Sequence, residues 1–140
     1  MVPLAGGTPR QVWSGFVFGA GIPVSPDGTR LFAMARGSAP EAHVPTIVRL
    51  DGGQPQAQIV PGLDYTTMLT PYGWTADGRA ITFIHNQGTV DNIWAMPIAG
   101  GKPFAVTHFT DLRISSYAFS SDGRLAVSRL APNSDMVVAH

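Results

Sequence analysis

Residues 72–85 read YGWTADGRAITFIH, and the fold turns on how this stretch is understood. Asp77 could be a working carboxylate or part of a bend. Its Thr-Ala-Asp-Gly phrase sits between two runs rich in Trp, Ile, Thr and Phe, residues that favour strands. Asp-Gly between such runs signals a hairpin, because Gly accepts the positive φ that closes the turn. The phrase returns as VSPDGTRLFA at 24–33 and FSSDGRLAVS at 119–128. Asp27, Asp77 and Asp122 stand 50 and 45 residues apart. In the first copy Pro26 presets φ for the turn, and Gly28, like Gly78 and Gly123, takes the left-handed position.

A second phrase repeats independently. It reads LAGGTP at 4–9, LDGGQP at 50–55 and IAGGKP at 98–103. Its second glycines, Gly7, Gly53 and Gly101, stand 46 and 48 residues apart. Two markers sharing a period of about 47 residues indicate a repeat architecture. Each unit holds four short apolar runs, here called strands A to D. In the middle unit they fall near 70–75, 79–85, 91–98 and 103–108, and no stretch carries a helical period. The Asp-Gly phrase is then the A–B turn and the Gly-Gly phrase the C–D turn.

Four short antiparallel strands per repeat is the pattern of a β-propeller blade. The expected fold is therefore all-β, with about three blades' worth of strands in a single segment spanning 1–140. Its repeats run approximately 1–13 (partial), 14–60, 61–108 and 109–140 (partial). The ends share one phase of the repeat, since Met1 aligns with Ala95 and His140 with Met96. Two readings follow: a piece of a larger propeller, or one half of a six-bladed ring closed as a homodimer.

The motifs VSPDGTRLFAMA, WTADGRAITFI, AFSSDGRLAVS and DNIWAMPIAGGKPFAVTHFT resemble the TolB-like, WD40-like Pro-Asp propeller repeat over essentially the whole chain. Val24 departs from the usual Trp, and RGSAPEAHVP is an insertion. The tail from His108 resembles the last blade of propellers appended to bacterial Ser/Thr kinases and winged-helix regulators. The resemblance implies a bacterial protein in a periplasmic or other extracytoplasmic setting. It also implies a non-catalytic interaction or sensing module. The alternative is a gating or regulatory propeller, of a prolyl-oligopeptidase-type peptidase or a kinase, whose catalytic domain is absent here.

Composition narrows the partners. Lys plus Arg and Asp plus Glu number 9 each, so no basic face calls for nucleic acid. There is no Cys, which excludes disulfides and thiolate metal sites. The start MVPLAGGTPRQV lacks the pattern of a secretory leader, and no apolar run in this segment is long enough to span a bilayer. No nucleophile elbow, zinc-binding helix motif or phosphate-binding loop is present. His43, His85, His108 and His140 have no ligand spacing. Neither catalytic residue, metal nor cofactor is therefore expected.

The D–A and B–C connections share the face opposite the repeated turns and are the less repetitive ones. Functional groups concentrate on such loops. The residues they offer to a protein or small-molecule ligand are Asp64, Tyr65, His85, His108, Asp111 and Arg113. Asp27, Asp77 and Asp122, with Gly7, Gly28, Gly53, Gly78, Gly101 and Gly123, are expected to be structural turn residues.

Overall fold

The computed structural model describes residues 8, 11, 13, 17–18, 21–36, 43–51, 54, 56–57 and 68–130. Among these residues the protein is all-β. Ten strands form three antiparallel sheets. The first sheet runs β1 (Val17–Phe18), β2 (Arg30–Arg36), β3 (His43–Arg49), β4 (Gln56–Ala57). The second runs β5 (Met68–Trp74), β6 (Ala80–Gln87), β7 (Val90–Pro97), β8 (Phe104–Ala105). The third pairs β9 (Arg113–Phe119) with β10 (Leu125–Leu130). In the two larger sheets, spatial order follows chain order, so each is a meander. Among the described residues the three sheets close no ring.

The repeated phrase is a turn in all three copies. The amide of Gly28 donates to Ser25 O at 2.8 Å, Gly78 to Thr75 O at 2.8 Å and Gly123 to Ser120 O at 2.9 Å. The three glycines have φ of 70°, 65° and 84°, a region costly for any residue with a Cβ. The aspartates hold these bends together. Asp27 Oδ1 accepts the Ser25 hydroxyl at 2.5 Å and the Thr29 amide at 3.0 Å. Asp77 Oδ1 accepts the Thr75 hydroxyl at 2.6 Å and the Arg79 amide at 3.0 Å. Asp122 accepts the Ser120 hydroxyl in the same way. These hydroxyl bonds are the main reason all three carboxyls lie below their ordinary pKa. The third turn closes one residue earlier than the others, with Ser120 N bonded to Arg124 O rather than to the next residue. Gly101 has φ of 113° in the turn after β7; Gly7 and Gly53 lie outside the described residues.

The second sheet lies between the other two. Side chains on one strand alternate faces. Ile81, Phe83, Trp74 and Met96 pack with Phe32, Met34 and Ile47 of the first sheet. Ile84 and Ile93 pack with Ile114 of the third, flanked by Tyr117, Leu125 and Val127. This explains why β6 reads as a nearly continuous apolar run: both its faces are covered. Phe83, buried completely, contributes about 1.5–3 kcal/mol by leaving water.

Two polar ties join the sheets. The Trp74 indole N–H donates to Pro23 O at 3.0 Å, and the Arg30 guanidinium lies 5.2 Å from the centre of its ring. On the other side, the Tyr117 hydroxyl donates to Thr82 Oγ1 at 3.0 Å. The first strands of the three units meet here: Pro23, Val24, Tyr72, Trp74, Tyr117 and Phe119 line a cavity of about 350 Å³.

Strand limits depart from expectation in two places. Strand A of the first unit is split: Val17–Phe18 pairs with β2, and Val24 makes a separate bridge to Leu31. The equivalent β5 has a register shift between Leu69 and Gly73, so both strands bend at this level. Strand D of the middle unit shrinks to Phe104–Ala105. Just beyond it, the Thr107 hydroxyl accepts the Ile93 amide at 2.9 Å, so a side chain replaces the next ladder bond.

Candidate functional site

The candidate residues lie where the β8–β9 connection meets the β6–β7 hairpin. Gly88, with φ of 74°, turns that hairpin. The Asn86 side-chain amide braces it by donating to Asp91 Oδ1 at 2.7 Å and Gly88 O at 3.2 Å. The two polar residues that open β7 then reach outward to the connection.

Asp91 is 2% exposed. Its Oδ2 accepts Arg113 Nε at 3.0 Å and the Ile114 amide at 2.9 Å, while its own amide donates to Leu112 O at 3.2 Å. Burial alone would raise its pKa. The bonds from Asn86, Ile114 and Arg113, with the Arg113 charge, outweigh burial and hold it below the usual carboxylate value. Asn92 grips the same connection one turn earlier. Its Oδ1 accepts the Phe109 amide at 2.7 Å and the Thr107 hydroxyl at 3.0 Å, and its Nδ2 donates to Phe109 O at 3.1 Å. The connection is thus fixed at Thr107, Phe109, Leu112 and Ile114. Leu112 is held at φ of 60°, a conformation that a leucine adopts only when its surroundings impose it.

The expected site residues take different places on this frame. Arg113 is half-exposed, and besides Asp91 it donates to Gly88 O at 3.1 Å. Asp111 is exposed and pairs with Arg129 Nη2 at 2.8 Å. The Arg129 guanidinium also lies 4.0 Å from the centre of the Phe109 ring. Arg129 Nε is the one buried side-chain polar atom among the described residues without a hydrogen-bond partner. His108 is exposed at the crest of the connection. His85 stands apart as part of an aromatic row, with its ring 4.8 Å from Trp94 and 6.5 Å from Phe83. Asp64 and Tyr65 lie outside the described residues.

The structure therefore brings Arg113, Asp111 and His108 onto one connection and leaves His85 on strand β6. No cluster of three or more His, Cys, Asp or Glu suited to a metal occurs among the described residues. What the arrangement offers chemically is a polar surface carrying two ion pairs and an exposed imidazole. Sequence reasoning missed Asp91, Asn92 and Arg129. A signal was available for the first two: Asp-Asn opens an otherwise apolar strand, where two adjacent polar residues break the alternation. Arg129 had none, because its partner lies 18 residues upstream.

No protein-family model matches the chain, and no curated protein matches it either.

Proposed function

We propose that the chain is a non-catalytic interaction module of TolB-like, WD40-like propeller blades. Its β8–β9 and β6–β7 connections form the surface that takes a protein or small-molecule ligand. One observation carries this reading: Asp91 and Asn92 clamp residues 107–114 onto the neighbouring hairpin. A loop held this way loses little conformational entropy on binding, which is the condition for a preorganised recognition surface. The blade assignment is supported by the meander order of the two larger sheets and by the meeting of the three leading strands around one cavity.

The test is a panel of peptides and metabolites titrated against the full chain, followed by amide NMR. Binding is expected to shift the resonances of residues 107–113 and 86–91 together. His108→Ala, at an exposed position, should weaken that binding while leaving the spectrum elsewhere unchanged. A ligand that leaves residues 107–113 unshifted and binds the variant equally well overturns the reading.

A further inference from the structure

A second concavity lies on the opposite side of the molecule, among the repeated turns. It measures about 630 Å³, within the range of small-molecule sites. It opens between the β2–β3 sheet and the turn after β7. Ile47 and Leu50, both buried, and the half-buried Ile98 give it an apolar floor. Arg49, Asp51, Gln54 and Gln56 form its polar wall.

Three features of that wall point to a class of ligand. First, its charges are already balanced. Arg49 Nε donates to Asp51 Oδ1 at 3.1 Å and to Oδ2 at 3.2 Å, and Arg30 pairs with Asp27 at 3.4 Å while also donating to Gly78 O. A charged ligand would have to displace a partner. Second, among the described residues the side-chain amides of Gln54 and Gln56 have no hydrogen-bond partner, and both residues are exposed. Each amide offers a donor and an acceptor. Third, the polar set is peculiar to this unit. At the matching positions of the next repeat stand Pro97, Ala99, Lys102 and Phe104. The turn therefore forms without these side chains, and the hairpin's own stability does not account for them.

We propose that this cavity binds a small uncharged ligand rich in hydroxyl groups, of the saccharide class. Hydroxyls both donate and accept, so they match paired Arg–Asp edges and free amides, while the C–H face of a sugar ring lies on the isoleucine and leucine floor. The site is independent of the loop-face reading above, because it shares none of its residues.

The experiment titrates the full chain with glucose, galactose, N-acetylglucosamine and cellobiose, with glucuronate and glucose phosphate as charged counterparts, followed by amide NMR. At least one neutral sugar is expected to produce saturable shifts at Thr29, Arg30, Asp51, Gln54 and Ile98. The exposed double change Gln54→Ala and Gln56→Ala should weaken it about tenfold, with the folded spectrum retained. Absence of saturable shifts with every neutral sugar overturns the proposal. So does unchanged affinity in the double variant, or tighter binding of a charged counterpart. None of these outcomes touches residues 107–113, so failure here is distinct from failure of the loop-face reading.

Discussion

At Gly73 a side chain has nowhere to go. A Cβ there would stand 2.8 Å from Thr82 Oγ1 and 3.6 Å from the Tyr117 ring and hydroxyl. The missing side chain is what lets Tyr117, on the third sheet, reach the fully buried Thr82 on the second. Burial raises the Tyr117 pKa, so the phenol stays protonated and donates. Gly73→Ala should therefore lower stability by about 1–3 kcal/mol, the usual cost of overpacking, read from urea unfolding. Tyr117→Phe, which removes only the donor, should cost about 1 kcal/mol. A Gly73→Ala loss well below about 1 kcal/mol would contradict the steric account. The repeated turn gives a sharper contrast. Gly78 combines φ of 65° with Arg30 Nη2 at 3.4 Å from a hypothetical Cβ, so Gly78→Val should destabilise by more than 1 kcal/mol. Asp77→Asn keeps an acceptor for the Thr75 hydroxyl and should change thermal stability little. The turn was legible in the sequence because its cause is local. The role of Gly73 was not, because the groups that forbid a Cβ come from other strands, one of them on another sheet.

Among the elements, the β6–β7 hairpin and the β8–β9 connection act as one unit through Asp91. Its folded pKa lies below the ordinary value of about 3.9. The stabilisation from this group is therefore present above that value and lost as pH falls through the folded pKa. Acidification from neutral pH through that lowered folded pKa should release the connection, visible as movement of the Ile114 amide resonance, whose acceptor is the Asp91 carboxylate. Asp91→Ala should show the released state already at neutral pH. It leaves the buried Ile114 amide without its acceptor, at about 1–3 kcal/mol, while the Asn86 side chain keeps Gly88 O. If the Ile114 resonance does not move on acidification, the latch is not held by that carboxylate. Strands were readable to within a few residues where periodicity and turns decide them: 79–85 was expected for β6 and Ala80–Gln87 is found. The end of β8 was not readable, because Thr107 and Asn92 substitute side-chain bonds for the ladder, and that pairing joins residues 15 apart.

For the whole molecule, the stack of three sheets sets an order of stability. The second sheet is covered on both faces, with β6 buried from Ala80 through Ile84. In the third sheet β10 alternates half-buried and exposed residues along its whole length, and Leu130 is 53% exposed. Local opening costs least where few apolar contacts are lost. Native-state hydrogen exchange should therefore find β9 and β10 opening before β6 and β7, at a lower free energy. The core substitutions should then separate. Leu125→Ala touches only the cluster between the second and third sheets, so it should lower protection in β9 and β10 and leave β2 and β3 unaffected. Phe83→Ala removes the centre of the cluster between the first and second sheets, at about 3–5 kcal/mol. Because the second sheet carries both interfaces, that loss should appear in all three sheets at once. Protection falling in the first sheet alone would mean that the second sheet does not couple its two interfaces.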